Sequence, residues 1–528
     1  MLIDVLSELS AKHGWDIVYC VSEGAEITVK ERFPSAIYQD TVDARYCRPP
    51  AVYKDLRLTS NDQPISDALA KFELLALKQM YRQELLDSFL LNERVLLFNR
   101  LVAYWSTVFD TLKPDVLLNP NPPHVCYDYI AHYLARMRGI RTIMFEWATS
   151  TGKLAVMENF GDGVPSIIEK YRELRANPPA EPVKLSGKME EYWRSLQGTY
   201  DTAKPFWFTM NQSIGKTTRE STPRGVFMNR CRAILGDLLH HPSGLLHVPR
   251  QIMQAAQIAW APPTVAGHYR GNYYKANEIP AALAHKVMRN RYRYTLTIRD
   301  YYDSLAKAPD LSVPYIYVPL HAQPERSTNP AGGVFDDQDV MIGLLSSVLP
   351  DGWRIYVKEH PSQFFPFFTE NGRWKTTYDS MLAHPNVSFV PRDTPSFDLT
   401  DRAQTVASVS GTACWEAVAR GKPSLMFGEG WYKGCEGVHD IRSVADCRKA
   451  LDRIIAGERP SREGVRLFLH AIDQVCIEAY LNDEDVGISK LTQQENANLL
   501  ASTIVAFYRS GAHPKFAPSG MSVGQTRF

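Results

Sequence analysis

What most restricts the fold of this chain is a regular alternation between Pro314 and Gly428. PYIYVPL (314–320), WRIYVKEHP (353–361), VSFVPRD (387–393), TVASVSG (405–411) and SLMFG (424–428) are short, mostly apolar runs. Strands of a parallel sheet read this way because helices cover both of its faces. Between them, DDQDVMIGLLSSVLP (336–350) reads as a helix with Asp336 and Asp337 at its positive end. TACWEAVARGKP (412–423) reads as another, stopped by Gly421 and Pro423. The DDQD run is read as this helix start rather than as a cation site. Five strands alternating with helices predict a doubly wound domain.

The first half holds a smaller unit of the same kind. KPDVLLNP (113–120), HVCYDYIAHYLARMRG (124–139) and IRTIMFEWA (140–148) read as strand, helix with a glycine stop, and strand, which is a βαβ unit. Before it, DIVYCVSE (16–23) reads as a buried strand. Residues 66–112 carry the 3.6 period of one or two long helices, with Leu74, Leu75 and Leu77 as buried candidates. Rossmann-like domains ordinarily open on a strand. Here an amphipathic helix, MLIDVLSELSAKHG, comes first, so either a first strand is absent or the natural start lies upstream. The expected organisation is an N-terminal Rossmann-like domain (1–175), an insertion or interdomain segment (176–285) and a C-terminal Rossmann-like domain (286–443). C-terminal helices (444–511) and a disordered tail (512–528) follow.

Composition excludes several function classes. Lys+Arg number 59 against 58 Asp+Glu, a net charge of +1, so the chain is no dedicated nucleic-acid coat. The 8 cysteines form no CxxC pair and read as reduced thiols packed in cores, with no metal site. No run reaches the length of a membrane span and the start lacks a secretory pattern, so a cytoplasmic protein is expected. The basic, aromatic-bearing stretch Lys204–Arg250 could suit a peripheral membrane contact or an anionic acceptor, but it lacks a clean amphipathic stripe and reads first as solvated helices with exposed basic faces.

In open parallel sheets ligands bind beyond the carboxyl ends of the strands. Three loops there carry the candidate chemistry. HAQPERSTNP (321–330) supplies Gln323, Glu325, Arg326, Ser327, Thr328 and Asn329. KEHP (358–361) brings Lys358, a carboxylate, His360 and Pro361 together. SGT (410–412) leads into a helix, and the N–H groups of a helix start, with the Ser410 and Thr412 hydroxyls around Gly411, form an anion site suited to phosphate. Glu416, one turn further on, can accept hydrogen bonds from sugar hydroxyls. Each element alone fits an ordinary capping or loop role; their coincidence on one sheet favours a phosphate-bearing ligand.

PLHAQPERST, KEHP and VSGTACWEAVARGKPSLMFG resemble the capsule polysaccharide biosynthesis family, which includes β-Kdo transferases, over about residues 310–430. The resemblance implies an α/β, GT-B type fold: two Rossmann-like domains facing a cleft, with a helical C-terminus. It implies transfer of an ulosonic acid such as Kdo from a CMP-activated donor to a glycan or glycolipid acceptor of capsule or lipopolysaccharide. No metal or other cofactor is expected, and partner glycosyltransferases are compatible with it. By motif, His360 with Pro361 would contact the donor phosphate or cytidine, Ser410 and Thr412 the phosphate, and Glu416 the ribose. Gln323 and Arg326 would face the transferred sugar. A catalytic carboxylate is expected from the first domain, with Glu146, immediately after the strand run RTIMF, first, Asp128 on the preceding helix (124–139) second and His124 of the NPPH loop third. The alternatives are a teichoic-acid-type CDP-polyol phosphotransferase, a UDP-sugar-dependent enzyme or epimerase, and a non-catalytic scaffold.

Overall fold

In a computed structural model of the chain, all five apolar runs of the second half are strands of one sheet. The structure describes residues 2–53, 62–83, 90–149, 151–203, 294–364, 372–481 and 489–511. The stretch Lys204–Arg250 and the tail 512–528 lie outside the described residues.

The chain divides into two compact units. The second comprises Arg82–Phe89 and Lys170–Ala471. Its sheet has six strands: β6 (Tyr315–Pro319), β7 (Arg354–Lys358), β8 (Val387–Phe389), β9 (Thr405–Ser408), β10 (Ser424–Met426) and β11 (Val438–Asp440). Their order is β11-β10-β9-β6-β7-β8, parallel at every pairing. The sixth strand, β11, was not read from the sequence, because the three residues VHD are too short to show a period. Ile316, Val318, Ile355, Val357, Phe389, Ala407 and Leu425 are buried in one core with Met341, Ile342 and Leu345 of the helix Gln338–Ser347. Each of these side chains larger than alanine contributes about 1.5–3 kcal/mol on burial. The helix expected at 336–350 is shorter, and Gly333–Asp336 form a 3-10 turn ahead of it.

The first unit comprises Met1–Tyr81, Leu90–Glu169 and Ile472–Phe528. Parallel pairing joins β1 (Tyr19–Ser22) to β2 (Ile37–Asp40), and β3 (Val116–Leu118) to β4 (Arg141–Trp147). The helix Tyr127–Met137 completes the expected βαβ unit. After β4 the chain reverses into β5 (Lys153–Met157), antiparallel to it, and β12 (Ile477–Glu478) extends that edge. The long periodic stretch is two helices, Gln63–Gln83 and Leu91–Leu112. Leu77 is buried and Leu75 half-buried, but Leu74 is 61% exposed. At 100° per residue Leu74 points about 140° away from the row formed by Leu69, Ala76 and Met80, which is the row that packs.

The helices expected as one block over 444–511 are shared between the units. Val444–Ile455 packs in the second unit, while Gln493–Arg509 packs on the first helix, Leu2–His13, in a core with Ile143 and Phe145. Thr492 and Glu495 cap that last helix reciprocally. Asn496, fully buried within it, donates to the Tyr480 carbonyl at 2.9 Å and accepts from the Tyr480 N–H at 3.0 Å. Among the described residues no helix is long and apolar enough to cross a membrane. The seven described cysteines are buried thiols.

Candidate active site

The three loops singled out by sequence leave the carboxyl ends of three adjacent strands, β9, β6 and β7. At their centre is His321, two residues beyond β6, whose side chain is 5% exposed. The Ser410 N–H donates to its Nε2 at 3.2 Å, and the Ser408 hydroxyl lies 3.0 Å from the same nitrogen. Because Nε2 accepts, the neutral ring carries its proton on Nδ1, which faces Glu325 Oε1 at 3.2 Å and Ser327 Oγ at 3.0 Å. The Ser327 hydroxyl donates to Glu325, and the Ser410 hydroxyl to the Ser327 carbonyl. The first and third loops are thereby joined through one imidazole.

A buried ion pair joins the first and second loops. Glu359 has no exposed side-chain surface and Arg373 only 3%. The Glu359 carboxylate accepts from Arg373 Nε at 2.8 Å, Tyr378 OH at 2.6 Å and the His360 N–H at 2.7 Å. Arg373 also donates to the His321 carbonyl at 2.7 Å and to Gln323 Oε1 at 3.1 Å. Gly372 beside it has no room for a side chain, since a Cβ would stand 1.8 Å from the Gln323 carbonyl oxygen.

The structure assigns different work to several of the predicted residues. The Gln323 amide does not present itself to a ligand: it donates to the Asp336 carbonyl and accepts from Arg373, bracing the loop. Lys358 is the last residue of β7, with its ammonium on the Thr394 carbonyl and, at 3.0 Å, on Ser396 Oγ. The Ser410 hydroxyl is occupied within the loops, so its part in anion binding falls to the backbone around it. Asp336, the first residue of the DDQD run, is buried and accepts from Asn329 Nδ2 at 3.3 Å.

Four predicted residues stay at the mouth of the strand ends. His360 is half-buried and its Nδ1 accepts from the Ser362 N–H at 3.1 Å, which puts the neutral ring's proton on Nε2. Burial pushes this imidazole below its usual value, against the pull of the Glu325 carboxylate. Pro361 opens the 3-10 turn Pro361–Phe364 that supplies that N–H. Arg326 is half-buried in the first loop. Gly411 is the N-cap of the helix Thr412–Ala419 and makes no side-chain cap bond, so no side chain covers the first turn, where helix N–H groups can serve an anion. A Cβ at Gly411 would lie 3.0 Å from Ser408 Oγ and 3.2 Å from the His321 ring. Gly411→Ala is therefore expected to cost about 1–3 kcal/mol by overpacking; an unchanged urea midpoint would show that the turn has room to spare.

Glu416 accepts from the Thr412 hydroxyl at 3.0 Å, and burial raises its carboxyl to about 7. The folded chain thus holds this proton more tightly than the unfolded one, whose ordinary value is 4.5. Its contribution to stability is full below the ordinary value and is lost as pH rises through the raised one. Glu416→Gln, which cannot ionise, should gain in melting temperature relative to the native chain between about pH 5 and pH 8. A difference that stays constant over that range would contradict the raised value.

In the first unit, Asp128 and His124 come together after β3. The Asp128 carboxylate accepts from the Val125 N–H at 2.7 Å and the His124 N–H at 3.2 Å. Burial raises its pKa, with His124 opposing. His124 Nδ1 lies 2.9 Å from the Pro122 carbonyl, to which it donates, leaving Nε2 as the lone-pair nitrogen of the neutral ring. Glu146 does not follow its strand as expected. Pairing continues to Trp147, so Glu146 is a strand residue opposite Ala155, on the face of β4 away from Phe145. His321, Glu359 and Arg373 were missed as site residues. The readable signal for His321 was a histidine directly after a buried strand, with small hydroxyl residues ending a second one.

Residues 276–482 match the family of capsule polysaccharide biosynthesis proteins. The matched stretch is about two fifths of the chain. It contains all three loops and the whole six-stranded sheet. No curated protein matches the chain. Among solved structures, the β-Kdo 2,7-transferase KpsC of Thermosulfurimonas dismutans is 14% identical over 42% of this chain and 66% of that one, with a TM-score of 0.24. The β-Kdo 2,4-transferase KpsC of the same organism is 19% identical over 35% of this chain and 54% of that one, with a TM-score of 0.22. The UDP-GlcNAc 2-epimerase of Neisseria meningitidis, bound to UDP-GlcNAc, is 11% identical over 93% of this chain and 99% of that one, with a TM-score of 0.23. The chain thus spans less than two thirds of the length of either Kdo transferase.

Proposed function

We propose that this chain is a glycosyltransferase of bacterial surface polysaccharide synthesis that transfers an ulosonic acid such as Kdo from a CMP-activated donor to a glycan or glycolipid acceptor. The observation that carries the reading is the convergence, on adjacent strand ends, of an uncapped helix start at Gly411, a histidine with a donating Nε2 at position 360, and Arg326. Cleavage of a nucleotide-sugar bond passes through an oxocarbenium-like transition state and leaves negative charge on the departing phosphate. Helix N–H groups, the His360 N–H and the Arg326 guanidinium are suited to receive that charge, so no divalent ion is assigned a part. Glu416 would accept hydrogen bonds from the ribose. Of the first unit's candidates, Asp128 with His124 is favoured over Glu146 for acting on a hydroxyl, because a carboxylate and a lone-pair nitrogen stand together there. The enzyme would work in the cytoplasm beside other transferases of the same assembly, with any membrane contact peripheral.

The test is thermal stabilisation by CMP, CDP, UDP and GDP. A ligand at a hundredfold excess over its Kd adds about 2.7 kcal/mol. CMP is expected to give the largest shift. A response to UDP alone would replace the ulosonic-acid reading with that of a UDP-sugar enzyme, and a response to CDP alone would favour a polyol phosphotransferase.

A further inference from the structure

We propose that His321 is the positioning residue of the donor site, locked as its Nδ1–H tautomer by Glu325 so that Nε2 fixes the turn that receives phosphate. The proposal rests on reading the second unit as nucleotide-binding and adds to it the group that sets the anion site's geometry. His321 is too buried to touch a ligand, and its contacts are all with the loops around it. Nδ1 meets Glu325 and Ser327; Nε2 meets Ser408 and the Ser410 N–H.

The residue's backbone is pinned as well. Its N–H donates to Gln338 Oε1 at 2.8 Å, and its carbonyl accepts from Arg373. A ring held this way cannot adapt to the turn; the turn must adapt to the ring. The tight fit at Gly411 agrees, since a Cβ there would stand 3.2 Å from the imidazole ring. A neutral imidazole offers a donor and an acceptor on opposite edges of one rigid plane, and the partner of one nitrogen decides the state of the other. Without an acceptor at Nε2, the Ser410 N–H would lose its partner and the first N–H groups of the helix Thr412–Ala419 would lose their fixed direction.

Two measurements on the full chain test this. Long-range nitrogen–proton NMR correlation, with the His321 signals identified by their loss in His321→Gln, should show a protonated Nδ1 and an unprotonated Nε2. Calorimetric CMP titration should show His321→Gln, which keeps an acceptor, within about threefold of the native Kd. His321→Phe, which keeps only the ring's bulk, should weaken binding by more than about tenfold. A protonated Nε2 in the native chain, or native CMP affinity in His321→Phe, overturns the proposal and leaves the donor-site reading standing. If His321→Phe does not fold, a loss of more than about tenfold in His321→Gln overturns it instead. Failure of the native chain to bind any of the four nucleotides overturns the donor-site reading, and this proposal with it.

Discussion

Replacing Arg373 by methionine is expected to destabilise the second unit by about 3–5 kcal/mol, because it leaves the Glu359 carboxylate charged and buried without its counter-ion. Methionine fills most of the volume, so lost packing contributes little. The remaining donors to Glu359, Tyr378 OH and the His360 N–H, supply hydrogen bonds but no charge. Hydrogen exchange read on peptides covering 315–323 and 354–364 would report this unit separately from the first. The double variant Arg373→Met with Glu359→Gln, which removes the stranded charge, should recover about 1–2 kcal/mol of the loss. A single-variant loss below about 1 kcal/mol, the range of exposed pairs, would mean that water reaches the pair.

His360→Ala is expected to lower kcat/KM for sugar transfer by about 10²–10³-fold, the usual cost of removing one preorganised donor from a developing anion. The fold should survive, since the ring is only half-buried and its Nδ1 bonds the Ser362 N–H at the start of a turn. Burial holds the imidazole's pKa down, so the neutral, Nε2-donating ring persists at neutral pH. Donor binding through it should be level as pH rises above the ordinary 6.5, because the ring is already neutral there and keeps its Nε2–H. His360→Asn, which keeps an N–H donor, should lose less than alanine. Transfer rates within threefold of native for His360→Ala would remove this residue from the mechanism.

How much of this was legible follows from what kind of signal each part leaves. The second unit's strands were readable because a parallel strand covered on both faces is an apolar run with sharp polar ends. The loops follow from the strands, so Arg326, His360, Gly411 and Thr412 could be placed at strand ends from residue order alone. The lock between loops could not be read. Arg373 lies 14 residues after Glu359 in the chain, in a stretch with no period, and only the folded sheet brings it to the His321 carbonyl. Likewise Leu74 is as apolar as Leu77; which row of a helix packs is decided by its neighbours, not by its own pattern. Glu146 ends an apolar run as a post-strand carboxylate would, whereas the hairpin with β5 extends pairing past it. The helices after Val444 show clear amphipathic stripes, but a stripe does not name the unit it will cover.

That last point bears on how the chain is made. Residues 1–169 share a core with residues after Ile472, so they emerge roughly 300 residues before the helix that covers them. At about 5–20 residues per second of synthesis this is a wait of roughly 15–60 s, during which Ile143, Phe145 and the inner face of the first helix have no lid. The second unit, made in between, can close first. Newly made first-unit segments are therefore the part of this protein with most need of a chaperone's shelter, and production in cells should be limited there rather than at the six-stranded sheet.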